Sequence, residues 1–194
     1  DGKIDVDDRT IIGNPHPDLT GGVNIGLTWR DFDLSTYMYY SIGNDLFKHY
    51  EYYTMFGNLQ SNYAKDRLVK SWDPINNPTG TYPLWTTTSG EGAEAGNESN
   101  SNYVQDGSYL RMQTLTLGYS LPKKLLQKIG FEKLRIYGQI SNVFTITGYD
   151  GLDPEVRSHT TFENNYVSSD LNKGIDYGSY GMPRQFLLGV NVTF

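Results

Sequence analysis

Apolar side chains recur at every second position through several stretches of the chain. At the far end, Phe186, Leu188, Val190, Val192 and Phe194 alternate with Gln185, Leu187, Gly189, Asn191 and Thr193. Upstream, Leu134, Ile136, Ile140, Phe144 and Ile146 share one parity, interrupted by Gly138 and Asn142. Leu115, Leu117, Tyr119 and Leu121 oppose Thr114, Thr116, Gly118 and Ser120. Near the start, Val23, Ile25, Leu27 and Trp29 oppose Asn24, Gly26, Thr28 and Arg30. Phe32, Leu34, Met38, Tyr40 and Ile42 then oppose Asp33, Ser35, Tyr37, Tyr39 and Ser41. A period of 2 predicts strands over about 19–30, 32–42, 109–121, 134–147 and 184–194. Each is about ten residues or slightly longer, the length a tilted strand needs to cross a bilayer.

The connections carry a second signal. Arg30-Asp31 makes a tight link, and 122–133 another short one. In the latter, Pro122-Lys123-Lys124-Leu125-Leu126-Gln127-Lys128-Ile129-Gly130 predicts a short helix with Pro at its start and Gly at its stop. The other two links, 43–108 and 148–183, are long. Short and long links alternate in outer-membrane barrels, whose turns are brief on one side and loops extended on the other. Trp29, Phe32, Tyr119 and Phe194 gather at the short-link end, as an interfacial aromatic girdle would. The alternative is a soluble carbohydrate-binding β-sandwich whose apolar faces cover each other. A single sheet of this kind has two open edges, which lipid does not tolerate. Bacterial barrels have an even number of strands, at least about eight. The expected fold is therefore all-β, the last five or so antiparallel strands of a larger transmembrane barrel.

Composition narrows function more than fold. There is no cysteine, which removes disulfides, thiolate metal sites and a cysteine nucleophile. The formal net charge of −6 argues against a chain built to hold nucleic acid, whose phosphates demand a basic surface. Tyrosine, at 16 residues, outnumbers phenylalanine at 8 and tryptophan at 3. A negative mean hydropathy would suggest a water-soluble chain, but a membrane strand is apolar only at alternate positions, so the average does not discriminate. The opening, Asp1-Gly2-Lys3-Ile4-Asp5, lacks the charged-then-apolar pattern of a secretory leader, as expected of an internal or mature piece.

Several stretches resemble the C-terminal end of SusC/RagA-type TonB-dependent outer-membrane transporters. They are Tyr103-Val104-Gln105-Asp106-Gly107-Ser108-Tyr109-Leu110-Arg111 running into Leu115-Thr116-Leu117-Gly118-Tyr119-Ser120-Leu121-Pro122, and Ser141-Asn142-Val143-Phe144-Thr145-Ile146-Thr147 with Gly151-Leu152-Asp153-Pro154-Glu155-Val156. The end from Pro183-Arg184-Gln185-Phe186 through Gly189-Val190-Asn191-Val192-Thr193-Phe194 is similar too. So is the start, Asp8-Arg9-Thr10-Ile11-Ile12-Gly13-Asn14-Pro15 followed by Pro17-Asp18. The resemblance implies a barrel of about 22 strands with an N-terminal plug, in the bacterial outer membrane. It would import oligosaccharides or peptides beneath a SusD-like lipoprotein and draw energy through TonB, with plug and TonB contact lying in an N-terminal part. Residues 1–18 and the links 43–108 and 148–183 would then be extracellular.

Candidate chemistry is sparse. Asp1-Gly2-Lys3-Ile4-Asp5-Val6-Asp7-Asp8 resembles the second half of a calcium loop, with Asp1, the Lys3 carbonyl, Asp5 and Asp8 as oxygen ligands and Gly2 at the sharp turn. A solvated acidic turn is the plainer alternative. In the longer loop, Met55 to Trp72 reads as helical, and Tyr63, Trp72, Tyr82 and Trp85 offer flat faces for sugars or peptide side chains. The same aromatics would serve equally as the loop's own small core or as a seat for the lipoprotein. Arg111, Arg135 and Arg184 fall on polar positions, where they would face the lumen and pair with acidic groups of the plug or border the substrate path. Catalysis finds no support. His16, His49 and His159 are scattered without zinc spacing, no phosphate-cradling or nucleophile-elbow motif occurs, and Asp153 and Glu155 suit turn hydrogen bonds better than glycosidase chemistry.

Overall fold

The computed structural model describes residues 9–51, 54, 55, 62–82, 84, 100–126, 130–156 and 172–194. Its strands are β1 (Leu19–Trp29), β2 (Phe32–Ile42), β3 (Asp45–Lys48), β4 (Val104–Asp106), β5 (Tyr109–Ser120), β6 (Lys133–Thr147), β7 (Ile175–Asp176) and β8 (Gln185–Thr193). The five long ones form one antiparallel sheet in the order β1-β2-β5-β6-β8. The three short ones form a second sheet, β4-β3-β7. The chain accordingly divides into two compact units. The larger in described residues comprises Pro17–Gly43, Gly107–Pro154 and Tyr180–Phe194; the smaller in described residues comprises Asp1–His16, Asn44–Asp106 and Glu155–Ser179.

In the larger sheet the register brings the apolar positions of every strand into transverse rows. Trp29 faces Phe32, which faces Tyr119, then Ile136, then Val190. The next row runs Leu27, Leu34, Leu117, Gly138, Leu188, and the one after it Ile25, Thr36, Leu115, Ile140, Phe186. Between them lie polar rows on the opposite face, such as Asn24, Tyr37, Thr114, Ser141 and Gln185. A slip of one residue in any ladder would interchange the faces of that strand, so the two-faced pattern itself specifies the register.

One irregularity reconciles a conflict of parity. In β5 the lower residues Leu115 and Leu117 are odd-numbered, while Leu110 and Met112 above them are even. The ladder to β2 passes from Tyr37↔Thr114 to Met38↔Met112, leaving Gln113 over, and the ladder to β6 shifts between Met112 and Thr114 as well. The bulge changes the phase of β5, as an inserted residue must. Leu110 and Met112 thereby join the apolar face, in rows with Tyr40 and Met38 and with Ile146 and Phe144. Arg111 joins the polar face. Opposite the bulge, Asn142 adopts φ 52, a left-handed conformation that Asn accepts more readily than most residues. Its side-chain amide donates to the Pro183 carbonyl at 3.0 Å, and Arg184 donates to the Val143 carbonyl at 2.6 Å, extending the β6–β8 link past the last ladder pair.

The tight link at Arg30-Asp31 places Arg30 at φ 55 with its guanidinium 5.0 Å from the Trp29 ring centroid. In the second short link the helix spans Lys123–Leu126, and Gly130 follows at φ 73. The sequence predicts a longer helix here, but 127–129 lie outside the described residues. Of the helix expected over Met55 to Trp72, Lys65–Val69 is helical and carries an Asp66–Lys70 ion pair at 2.6 Å; 62–64 and 70–72 are not helical, and 56–61 lie outside the described residues. The smaller unit has its own centre around the fully buried Tyr103, with Leu46 and Met55 also buried.

Gly118 marks a close approach on the polar face. Arg135 of β6 and Asp33 of β2 meet across β5 in a forked pair, Nε to Oδ1 at 2.8 Å and Nη2 to Oδ2 at 2.5 Å. A Cβ on Gly118 would sit 2.4 Å from both the Arg135 guanidinium and an Asp33 oxygen. Gly118→Ala is expected to part the fork and cost about 1 kcal/mol, the scale of a partly exposed ion pair. Adding Asp33→Asn should then cost little more, because both changes remove one interaction. Denaturant midpoints of the two single variants and the double variant, measured on the intact protein, check this; additive losses would contradict it.

Candidate functional site

The largest chemical feature is the apolar face of the five-stranded sheet. Leu188 is 87% exposed and Phe186 75%, and Val23, Ile25, Leu27, Leu117, Ile136, Val190 and Val192 are all exposed as well. A sandwich would bury these side chains against a second sheet. Here they form a continuous apolar surface several rows deep. A water-soluble monomer seldom leaves such an area open, whereas hydrocarbon solvates it without cost. At one end it is bordered by rings: Trp29 is 67% exposed, Phe32 and Tyr119 stand 4.7 Å apart, and Phe131 meets Phe194 edge-on at 5.4 Å. These rings include Trp29, Phe32, Tyr119 and Phe194, which the sequence predicts as a girdle; Phe131 joins them only through its contact.

The reverse face is polar and hydroxyl-rich, with tyrosines laid over glycines. A Cβ at Gly189 would strike the Tyr137 ring, and one at Gly22 would strike Tyr37. Its arginines have partners close at hand. Arg135 pairs with Asp33 inside the same sheet and lies 4.9 Å from the Tyr137 ring centroid. Arg111 is buried and ion-paired with Asp153. Arg184, just before β8, is exposed and bonds the Val143 carbonyl. The polar positions of Arg111 and Arg135 predict either acidic groups of the plug as partners or a place beside the substrate path, and the structure supplies carboxylates from the chain itself. Neither Asp33 nor Asp153 was marked beforehand as an arginine partner. The only signal for the first was Gly118, a glycine inside an alternating strand, which commonly marks a close approach.

The smaller unit carries the loop candidates. Tyr63 is 37% exposed and Trp72 42%, while Tyr82 is half-buried and bridges Ser71 in backbone pairing. Two open rings and one that is partly enclosed are compatible with ligand stacking and with a local core alike; Trp85 lies outside the described residues. So do Asp1, Lys3, Asp5 and Asp8, the calcium-loop candidates, and among the described residues no cluster of three or more carboxylates and histidines could hold a metal. Three features here were not anticipated. Lys48, on β3, is buried and pairs with the buried Glu51 at 2.5 Å. Arg67 is buried and bonds Ser71. Burial pushes its guanidinium below the ordinary value, while Tyr103, Tyr63 and Tyr82 push it up. Asp73 is half-buried and accepts from the Ile75 and Asn76 amides at 2.8 and 2.7 Å, holding its carboxyl below the usual range.

Comparison with known proteins places these features. No family model matches the chain. The TonB-dependent receptor P3 of Formosa agariphila is 35% identical over the whole chain, which covers 18% of that protein. The TonB-dependent receptor SusC of Bacteroides thetaiotaomicron is 29% identical, again over the whole chain and 17% of its own length. Among solved structures, the RagAB peptide transporter aligns with all of this chain and 19% of the matched chain, at a TM-score of 0.76 and 22% identity, a likeness of fold. The chain thus spans less than a fifth of the length of the curated relatives it matches.

His49 gives the smaller unit a pH dependence. Its ring lies 4.6 Å from that of Tyr177 and borders an apolar cavity of about 360 Å³ with Phe47, Val104 and Ile175. Burial pushes its pKa below the ordinary value. The unfolded chain therefore binds a proton first, so this contribution is fully present above about pH 6.5 and is lost as the pH falls toward the lower folded value. Protection of the Phe47 amide, which donates to the Gly174 carbonyl at 2.8 Å, is expected to drop on acidification after correction for intrinsic exchange. His49→Gln should flatten that drop; an identical profile in the variant would exclude His49 as its source.

Proposed function

We propose that this chain, which belongs to the SusC/RagA-type TonB-dependent receptors of the outer membrane, forms part of the barrel wall and extracellular loops of a nutrient importer. The intact protein takes up oligosaccharides or peptides; the RagAB peptide importer and transporter structures, similar in fold, bear on the peptide alternative alone. A SusD-like lipoprotein caps it, TonB energises it through an N-terminal part, and the rest of the barrel and plug complete it. The chain's work is enclosure and transport, not catalysis. Lipid contacts the apolar rows, and an aqueous lumen contacts the tyrosine, threonine and amide rows.

The observation that carries this reading is the exposed face Val23–Ile25–Leu27–Leu117–Ile136–Phe186–Leu188–Val190, backed by a polar reverse. Chains that turn one face to water and the other to hydrocarbon need this alternation, and the backbone must be fully bonded between strands. The long links leave the sheet at the end marked by Ile42, Tyr109 and Thr147, the end this reading assigns to the cell exterior. For the opening segment we retain calcium as the ligand of Asp1, Lys3, Asp5 and Asp8. Calcium titration of the intact protein should lose one binding event in Asp5→Ala with Asp8→Ala, and unchanged binding would remove the site.

The membrane assignment has a direct test. Leu188→Arg puts a cation into the apolar row and should disfavour membrane insertion by about 2–4 kcal/mol if it lies near mid-bilayer. Asn191→Arg, on the polar face of the same strand, should assemble almost normally. Outer-membrane fractionation and heat-modifiable gel mobility of the full receptor read both. Equal assembly of the two variants, or a monodisperse, folded protein without detergent, would favour the soluble sandwich.

A further inference from the structure

Two charged side chains of the larger unit are buried far more than a water-lined wall requires: Arg111 at 2% exposed and Asp153 at 6%. They stand 42 residues apart in sequence, yet Arg111 Nη2 donates to Asp153 Oδ1. Arg111 is held in turn by its own strand neighbours. Its Nε donates to Thr145 Oγ1 at 3.0 Å, and its guanidinium lies 5.5 Å from the Tyr109 ring centroid. The other oxygen of Asp153 accepts the Met182 amide at 2.9 Å. One carboxylate therefore joins three stretches: β5, the segment that leaves β6, and the segment that enters β8.

The surrounding backbone is shaped for this junction. A Cβ on Gly181 would lie 3.0 Å from the Leu152 carbonyl oxygen, so the departing and returning chains touch where a glycine permits it. Gly151 lies against the ring of the buried Tyr149, where any side chain would collide. The Tyr149 amide donates to Thr147 Oγ1 at 3.1 Å, and that hydroxyl donates to the Ser108 carbonyl at 2.8 Å. The chain departs from the larger unit after Pro154 and rejoins it at Tyr180. Asp153 and Met182 are thus its last and first anchors.

We infer that Asp153, fixed by Arg111, is a positioning residue that clamps the exit and return of the long 148–184 connection together on β5. A buried carboxylate deprived of its cation is strongly unfavourable, and its second oxygen fixes where the returning amide must lie. The pair accordingly acts on geometry at the base of the connection, not on the ladder that holds the sheet. It goes beyond the importer reading and stands on the hydrogen bonds at that base alone.

Hydrogen exchange of the full-length receptor in detergent tests the clamp, with Asp153→Asn and Arg111→Lys as variants. Asp153→Asn is expected to speed exchange at Met182 and over 149–152 by at least about tenfold, given the cost of an uncompensated buried charge. Arg111→Lys keeps the cation but loses the separate donors to Asp153 and Thr145, and should produce a smaller rise at the same amides. Protection over Ile136–Ile140 and Leu188–Val190, and heat-modifiable mobility, should stay as in the unaltered receptor. Unchanged exchange at Met182 in a folded variant overturns the inference, and so does a rise spread evenly over the strands. If Asp153→Asn fails to assemble, Arg111→Lys decides alone by the same two criteria. Absence of strand protection in the unaltered receptor would instead count against the barrel reading and leave the clamp's own prediction standing.

Discussion

A backbone immersed in hydrocarbon has no water to bond to, and the larger sheet of this protein depends on that constraint. Every amide and carbonyl of a crossing strand must find its partner on a neighbouring strand. Continuous antiparallel ladders from β1 to β8 supply those partners through the interior of the sheet. Once the backbone is satisfied sideways, the side chains can differ between the faces, and the alternation of Ile25, Leu27 and Trp29 with Asn24, Gly26 and Thr28 becomes a boundary between lipid and water. The same constraint explains why the irregularity at Gln113 is accompanied by one opposite it, where Asn142 and Arg184 place side-chain donors on nearby backbone carbonyls.

Within that frame, geometry neutralises the paired buried and half-buried charges locally. Asp33 and Arg135 reach across an intervening strand, and they meet because Gly118 presents no side chain between them. Arg111 and Asp153 meet in near-complete burial, with Thr145 and the Met182 amide completing their bonds. The first pair tightens the polar face at the short-link end. The second lies at the opposite end, where strands give way to long connections. Lys48 and Glu51 repeat the principle in the smaller unit, with neither charge left to face apolar surroundings alone.

The candidates for ligand contact and the residues that build the structure are different in kind. Tyr63 and Trp72 are partly open rings on an irregular backbone, and their availability is a matter of exposure. Tyr103, Arg67 and Lys48 are buried, and they build the unit on which such rings are displayed. A membrane-barrel wall divides its labour in this way: the rows that face lipid are fixed by solvation, while loops can vary in composition without disturbing the ladders.

The sequence by itself determined the five long strands, their apolar faces, the alternation of short and long links and the aromatic border, because each depends on local periodicity and on which side chains water rejects. Even the phase change in β5 was written there, as Leu110 and Met112 falling out of step with Leu115 and Leu117; it could be interpreted only once the neighbouring strands showed a bulge. Tertiary structure alone decided which carboxylate meets which arginine. Asp33 lies 102 positions from Arg135, and Asp153 lies 42 from Arg111. A one-dimensional pattern records polarity at a position but not the strand order and register that bring two distant positions within bonding distance.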